Sequence, residues 1–169
     1  EDSIPLFDRH SRSQIGNTNG SMLCGAHSQG FIINNDSKIG VMGVHFKPGG
    51  SAPFFKLPAG ELHNQRISLD ELWQGRAIEL RDRLLETPTW ADRFLVLEQF
   101  LLMEMQPPDR YAAVDLAIDE FSRSPTATVS EVTDKIGYSA RYFNQIFRNR
   151  VGLTPKLFCR IRRLQRVLD

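Results

Sequence analysis

The chain has 169 residues, 41% hydrophobic and 24% charged, with a net charge of +1 and two cysteines. These are the values of ordinary globular material, enough for one or two domains. No apolar run approaches the ~20 residues a membrane span requires and no secretion signal is present, so Cys24 and Cys159 are expected as free thiols in a cytoplasmic protein.

In chain order, one strand is expected over residues 4–7, followed by a polar loop ending in N-T-N-G at Gly20. Strands over 22–27 and 30–34 follow, and a further one over 39–46 after the N-N-D-S punctuation. In that last strand Val41, Gly43 and His45 face one way, and Met42, Val44 and Phe46 the other. Strands this short need a larger sheet, so partners are expected upstream of Glu1. Pro48-Gly49-Gly50 is a turn, 51–55 a short capped helix, and Leu57-Pro58-Ala59-Gly60 a break.

Ser68-x-x-Glu71 is a capping box that opens a helix to about Glu86, with Leu69, Leu72, Trp73, Leu80 and Leu84 on one side. Thr89-x-x-Asp92 opens another, with Phe94, Leu97, Leu101 and Met105 as its stripe. Pro107-Pro108 is the clearest boundary, dividing 1–106 (strands to about 46, a helical connector over about 51–106) from 109–169. Asp109 then caps a helix over 110–122 that turns Val114, Ala117, Ile118 and Phe121 inward, and Ser124-Pro125 ends it.

The stretch 128–168 divides itself into three helices. Thr128-x-x-Glu131 is a capping box, Gly137 a helix stop, Ser139 an N-cap, Gly152 a second stop, and Pro155 an opening residue of a third helix. At about 100° per residue, Phe143, Ile146, Phe147 and Val151 form one stripe of the middle helix. Arg141, Asn144, Gln145 and Arg148 gather on the other side. Arg suits guanine O6/N7, and Asn or Gln suits adenine N6/N7. These four are the expected base readers. Thr128, Ser130, Arg150 and Lys156 are placed to meet phosphates, which fix register without reading sequence.

Charge points the same way. Residues 128–169 carry nine Lys/Arg against three acids, a net of +6, which leaves −5 on residues 1–127. A nucleic-acid module joined to a partner domain that does not bind nucleic acid has this asymmetry. A helical bundle with a solvated basic face has it too.

The pattern I-G-Y-S-x-x-Y-F-x-x-x-F-R-x-x-x-G-x-T-P at 136–155, followed by F-x-x-x-x-R-L at 158–164, resembles the first helix-turn-helix and linker helix of AraC-type (AraC/XylS) transcription regulators. The resemblance implies an α+β chain: a partial, cupin-like β N-terminal region, a helical connector and an all-α helix-turn-helix subdomain. G-V-H-F-K-P-G-G at 43–50 and S-L-D-E-L-W at 68–73 carry a weaker resemblance to the sensor half. Thr133 and Val167 stand where the family has Ala, which puts packing in doubt there. The family also carries a second helix-turn-helix, and this sequence stops at Asp169 within the linker helix, so a piece of a longer protein is expected. The implied function is sequence-specific binding of double-stranded DNA through residues 140–150. An effector or partner at the N-terminal domain, and homodimerisation through a strand edge or the helix pair 69–105, stay open. The alternative is a small-molecule-binding or protein-interaction module whose truncated helix-turn-helix does not bind DNA by itself.

No catalytic constellation, cofactor motif or metal-ligand spacing is found. His10, His27, His45 and His63 lack partner motifs. An enzyme is not expected.

Overall fold

The computed structural model describes residues 5–8, 11–17, 20–28, 31–33, 40–107, 111–124 and 126–168. Chain contacts divide it into two units: Glu1–His45 with Asn64–Met105, and Phe46–His63 with Gln106–Asp169. The division near residue 106 falls beside Pro107. The stretch Phe46–His63, most of which the sequence assigns to the connector, folds with the C-terminal unit.

The first unit is mixed α and β. Strands β1 (Pro5–Asp8), β2 (Gln14–Asn17) and β4 (Phe31–Ile33) form an antiparallel sheet in the order β2-β1-β4. A second pair joins β3 (Met22–Cys24) to β5 (Arg66–Ser68), with Leu23 opposite Ile67. The partner strands were therefore partly unrecognised in the sequence: β2 lies in the polar loop, and β5 is three residues long. The strand expected over 39–46 is corrected. Residues 40–46 take no strand structure, and Val41 is 71% exposed; the alternation there matches no partner ladder. Ile39 lies outside the described residues.

Ser68 does cap a helix, its hydroxyl accepting from the Asp70 N–H at 3.3 Å. That helix breaks where one continuous helix was expected. Helix α1 (Leu69–Trp73) ends at Gln74, whose φ of 52° is left-handed, and α2 (Gly75–Glu86) starts afresh. Helix α3 (Trp90–Glu104) is capped by Thr89, as its capping sequence dictates. Its buried side is the predicted one only in part: Leu97 and Leu101 are half-buried. Phe100 is its buried residue and packs edge-on to Trp73 at 5.2 Å, while Phe94 and Met105 are exposed. Several apolar stripes fit a helix this rich in Leu and Phe, and packing against α1 and α2 selects one of them.

The second unit is built on rings. Helix α4 (Ala112–Arg123) contributes Phe121, α6 (Ala140–Val151) contributes Phe143 and Phe147, and α7 (Pro155–Leu168) contributes Phe158. Phe147 stands at the centre, 5.5 Å from Phe158, 5.6 Å from Phe143 and 6.1 Å from Phe121. Val114 and Ala117 of α4 are fully buried beside them. Tyr111 occupies the N-cap position of α4; the predicted cap Asp109 lies outside the described residues. Both cysteines are free thiols. Burial, the larger effect, raises the Cys159 thiol above its ordinary range, against a lowering pull from Arg163.

Residues Phe46–His63 form a folded strap in this unit. Turns occupy 48–54, where a short capped helix was expected over 51–55, and a 3-10 helix spans Ala59–Leu62. Phe46 packs on Phe54 and Phe55, and Phe55 and Leu62 are buried. The Gln106 N–H donates to the Pro53 carbonyl at 2.8 Å, tying the strap to the start of the C-terminal segment.

Candidate nucleic-acid interface

Helix α5 (Val129–Ile136) begins with the full reciprocal cap. The Glu131 N–H donates to Thr128 Oγ1 at 3.2 Å, and the Thr128 N–H donates to Glu131 Oε2 at 2.7 Å. The backbone N–H of Thr128 holds the Glu131 carboxyl below its ordinary range, and the Thr128 side chain adds to the effect. Gly137 takes φ 76° and closes the helix through its N–H on the Thr133 carbonyl at 2.9 Å. An L side chain pays a steric cost in this left-handed region, and glycine does not. After Tyr138, the Ser139 hydroxyl accepts from the Tyr142 N–H at 3.4 Å and starts α6. Gly152, at φ 88°, ends α6 in the same way that Gly137 ends α5.

Thr133, doubtful on sequence grounds, is buried, and its hydroxyl donates to the Ser130 carbonyl at 2.9 Å. It fits because its one polar atom is satisfied locally. Val167 is 81% exposed, so its extra bulk meets no core.

Helix α6 is sharply two-sided. Phe143, Phe147 and Val151 are buried, whereas Arg141, Gln145, Arg148 and Asn149 are exposed. The helix contains no acidic residue. Among the expected base readers, Arg141 and Gln145 therefore stand in the open. Asn144 is half-buried, and its Nδ2 donates to the Ala140 carbonyl of its own helix at 2.7 Å, a change from the free amide the spacing implied. Arg148 is exposed as a residue, with Gly60 of the strap close against its stem.

The expected phosphate contacts divide as well. Thr128, Ser130 and Lys156 are exposed, Lys156 in the first turn of α7. Arg150 is less open. It is half-buried, its guanidinium lies 5.9 Å from the Tyr111 ring centroid, and its Nε is buried without a hydrogen-bond partner. A cation over an aromatic face is a packing arrangement of some stability, and here it sets the side chain beside the N-cap residue of α4.

Two features escaped the sequence reading. Tyr138 and Tyr142 are exposed and stand edge-to-face at 5.2 Å, bracketing the start of α6 beside Arg141. Their spacing of four was visible, but the motif read them only as pattern residues. The second is the strap. A Cβ on Gly60 would lie 2.9 Å from Arg148 Cγ and 3.1 Å from the Arg148 carbonyl oxygen, so glycine is what permits this approach. Nothing in 46–63 signals a partner ninety residues on.

Helix α7 adds a basic notch. Arg162, Arg163 and Arg166 line it with Phe121, Ser124 and Cys159, and Arg166 donates to the Ser122 carbonyl at the end of α4. Cations at a helix C-terminus meet the negative end of its dipole, which accounts for Arg166. Among the described residues no helix is long and apolar enough to cross a membrane, and no group of three or more His, Cys, Asp or Glu is placed to hold a metal ion.

Residues 6–68 match a family described as "Domain of unknown function (DUF6597)", a match that includes the whole strap and leaves α1 to α7 outside it. No curated protein and no solved structure matches the chain.

Proposed function

We propose that the C-terminal unit is a helix-turn-helix that binds double-stranded DNA, in a transcription regulator of AraC type whose N-terminal region is a cupin-like sensor. The observation carrying this reading is the division of α6: Phe143 and Phe147 inward, and Arg141, Gln145, Arg148 and Asn149 outward with no acid among them. A helix of that kind, opened by a short turn after α5, suits the major groove, where N-terminal residues of the reading helix meet base edges. Arg141 and Gln145 are the base readers this geometry favours. Thr128, Ser130 and Lys156 supply backbone contacts.

A salt titration of the chain on duplex DNA tests the class: affinity falling steeply with salt supports it, and salt-independent or absent binding rejects it. Arg141→Ala or Gln145→Ala should cost about 1–3 kcal/mol and relax preference at one base pair, whereas Lys156→Ala should weaken all sequences alike. Equal, sequence-independent losses from all three would reject the division of roles.

A second reading concerns the first unit. Trp90, Phe94, Leu95, Leu102 and Met103 of α3 are all about half exposed or more, which favours a second copy or a protein partner there. Sedimentation of Leu95→Glu against the parent chain tests it: an unchanged mass would remove this surface from consideration.

A further inference from the structure

Resting on the proposed DNA-binding role, we infer that the strap Phe46–His63 and DNA compete for the C-terminal half of α6, so that the strap sets how much of the helix can be read. Gly60 presses on the stem and carbonyl of Arg148, and Gly60 itself is buried. Arg148 lies seven residues from Arg141, two helical turns, hence on the same side of α6. About 10 Å of helix separates them, comparable with the ~12 Å width of the major groove. A helix seated deeply enough to bring both arginines to bases brings the 3-10 turn Ala59–Leu62 against the groove wall.

The other end of the strap acts on the other arginine. Gly49 lies against Arg150, its Cβ direction 3.3 Å from Arg150 Cγ, and Arg150 is stacked on Tyr111. The strap thus engages Arg148 and Arg150 together and leaves Arg141, Gln145 and Lys156 free. It is also anchored rather than laid on: Phe46, Phe54 and Phe55 pack together, Leu62 is buried, and Pro53 accepts from Gln106. By sequence it belongs to the matched segment 6–68, and by contacts to the unit that carries α6. Whatever ligand stabilises the strap's seated form must, by linkage, weaken DNA, and DNA must weaken that ligand by the same factor.

The test uses the whole 169-residue chain and a labelled mixed-sequence duplex. Gly60→Val places branched carbon where 2.9 Å is available, which unseats the 3-10 turn. Relative to the parent chain, the variant should bind at least about fivefold tighter, the lower end of ordinary coupling between sites. Its log–log salt slope should steepen by about 0.9 for each arginine that gains a phosphate. Adding Arg148→Ala to Gly60→Val should remove most of that gain.

A measurement on the unaltered chain keeps the inference testable if the variant folds poorly: hydrogen exchange of residues 59–62 should speed up when duplex is added. Weaker or unchanged binding by Gly60→Val, or slower exchange at 59–62 on DNA, overturns the competition while leaving the DNA-binding reading intact. If neither chain binds duplex at any salt although exchange shows the strap released, the DNA-binding reading itself fails and takes this inference with it.

Discussion

The two units differ in how tightly their apolar residues are used. In the C-terminal unit four phenylalanines from three helices meet around Phe147, and Phe143, Phe147 and Val151 of α6 are all buried. In the N-terminal unit α3 buries Phe100 but leaves Trp90, Phe94, Leu95, Leu102 and Met103 largely open. The lesson concerns redundancy. A helix with alternating polar and apolar faces has one way to pack, whereas a helix apolar nearly all round has several, and its neighbours choose.

The largest effect expected from breaking this contrast is Phe147→Ala. It empties the centre of the ring cluster and should cost about 3–5 kcal/mol, read as a fall in the unfolding midpoint of the C-terminal unit. Phe94→Ala makes the sharper comparison: the same substitution on an exposed site should change stability by no more than about 0.5 kcal/mol. A large loss there would mean that α3 packs on the face the sequence suggested.

Next in size come the helix stops. Gly137→Ala should cost about 1–2 kcal/mol, the steric cost of a left-handed L residue, since a Cβ there meets open space and only the backbone objects. Near-zero loss in a denaturant titration would mean that the turn between α5 and α6 relaxes freely.

Thr128→Ala removes the cap of α5 and should cost about 0.5–2 kcal/mol at neutral pH. Its pH dependence has a definite sign. Glu131 is held below its ordinary range by its bonds to Thr128. A carboxyl with a depressed folded pKa contributes stability that is present above its unfolded pKa and lost as pH falls through the folded value. The difference between Thr128→Ala and the parent chain should therefore shrink as pH drops below the carboxylate range of about 4. A difference that stays constant to the acid limit would show that the hydroxyl alone caps the helix.

How much was legible follows from the reach of each signal. The bounds of α5, α6 and α7 were readable because Thr128, Gly137, Ser139, Gly152 and Pro155 act on backbone groups within four residues of themselves. The break at Gln74 was not, because a left-handed glutamine has no sequence marker. The same holds for the strands: β3 finds its partner β5 more than forty residues away, and three residues of alternation are too few to announce a pairing.

For the candidate interface, the helical period and the positions of Phe143 and Phe147 were enough to place Arg141, Gln145 and Arg148 away from the rings. Which polar side chains of this helix stay available was settled by the rest of the fold, and in one case by the backbone of the helix itself. Asn144 is taken up by the Ala140 carbonyl of its own helix, whereas Arg150 is drawn to Tyr111 and Arg148 meets Gly60, contacts that depend on where distant backbone comes to rest. A period along one helix carries no record of that.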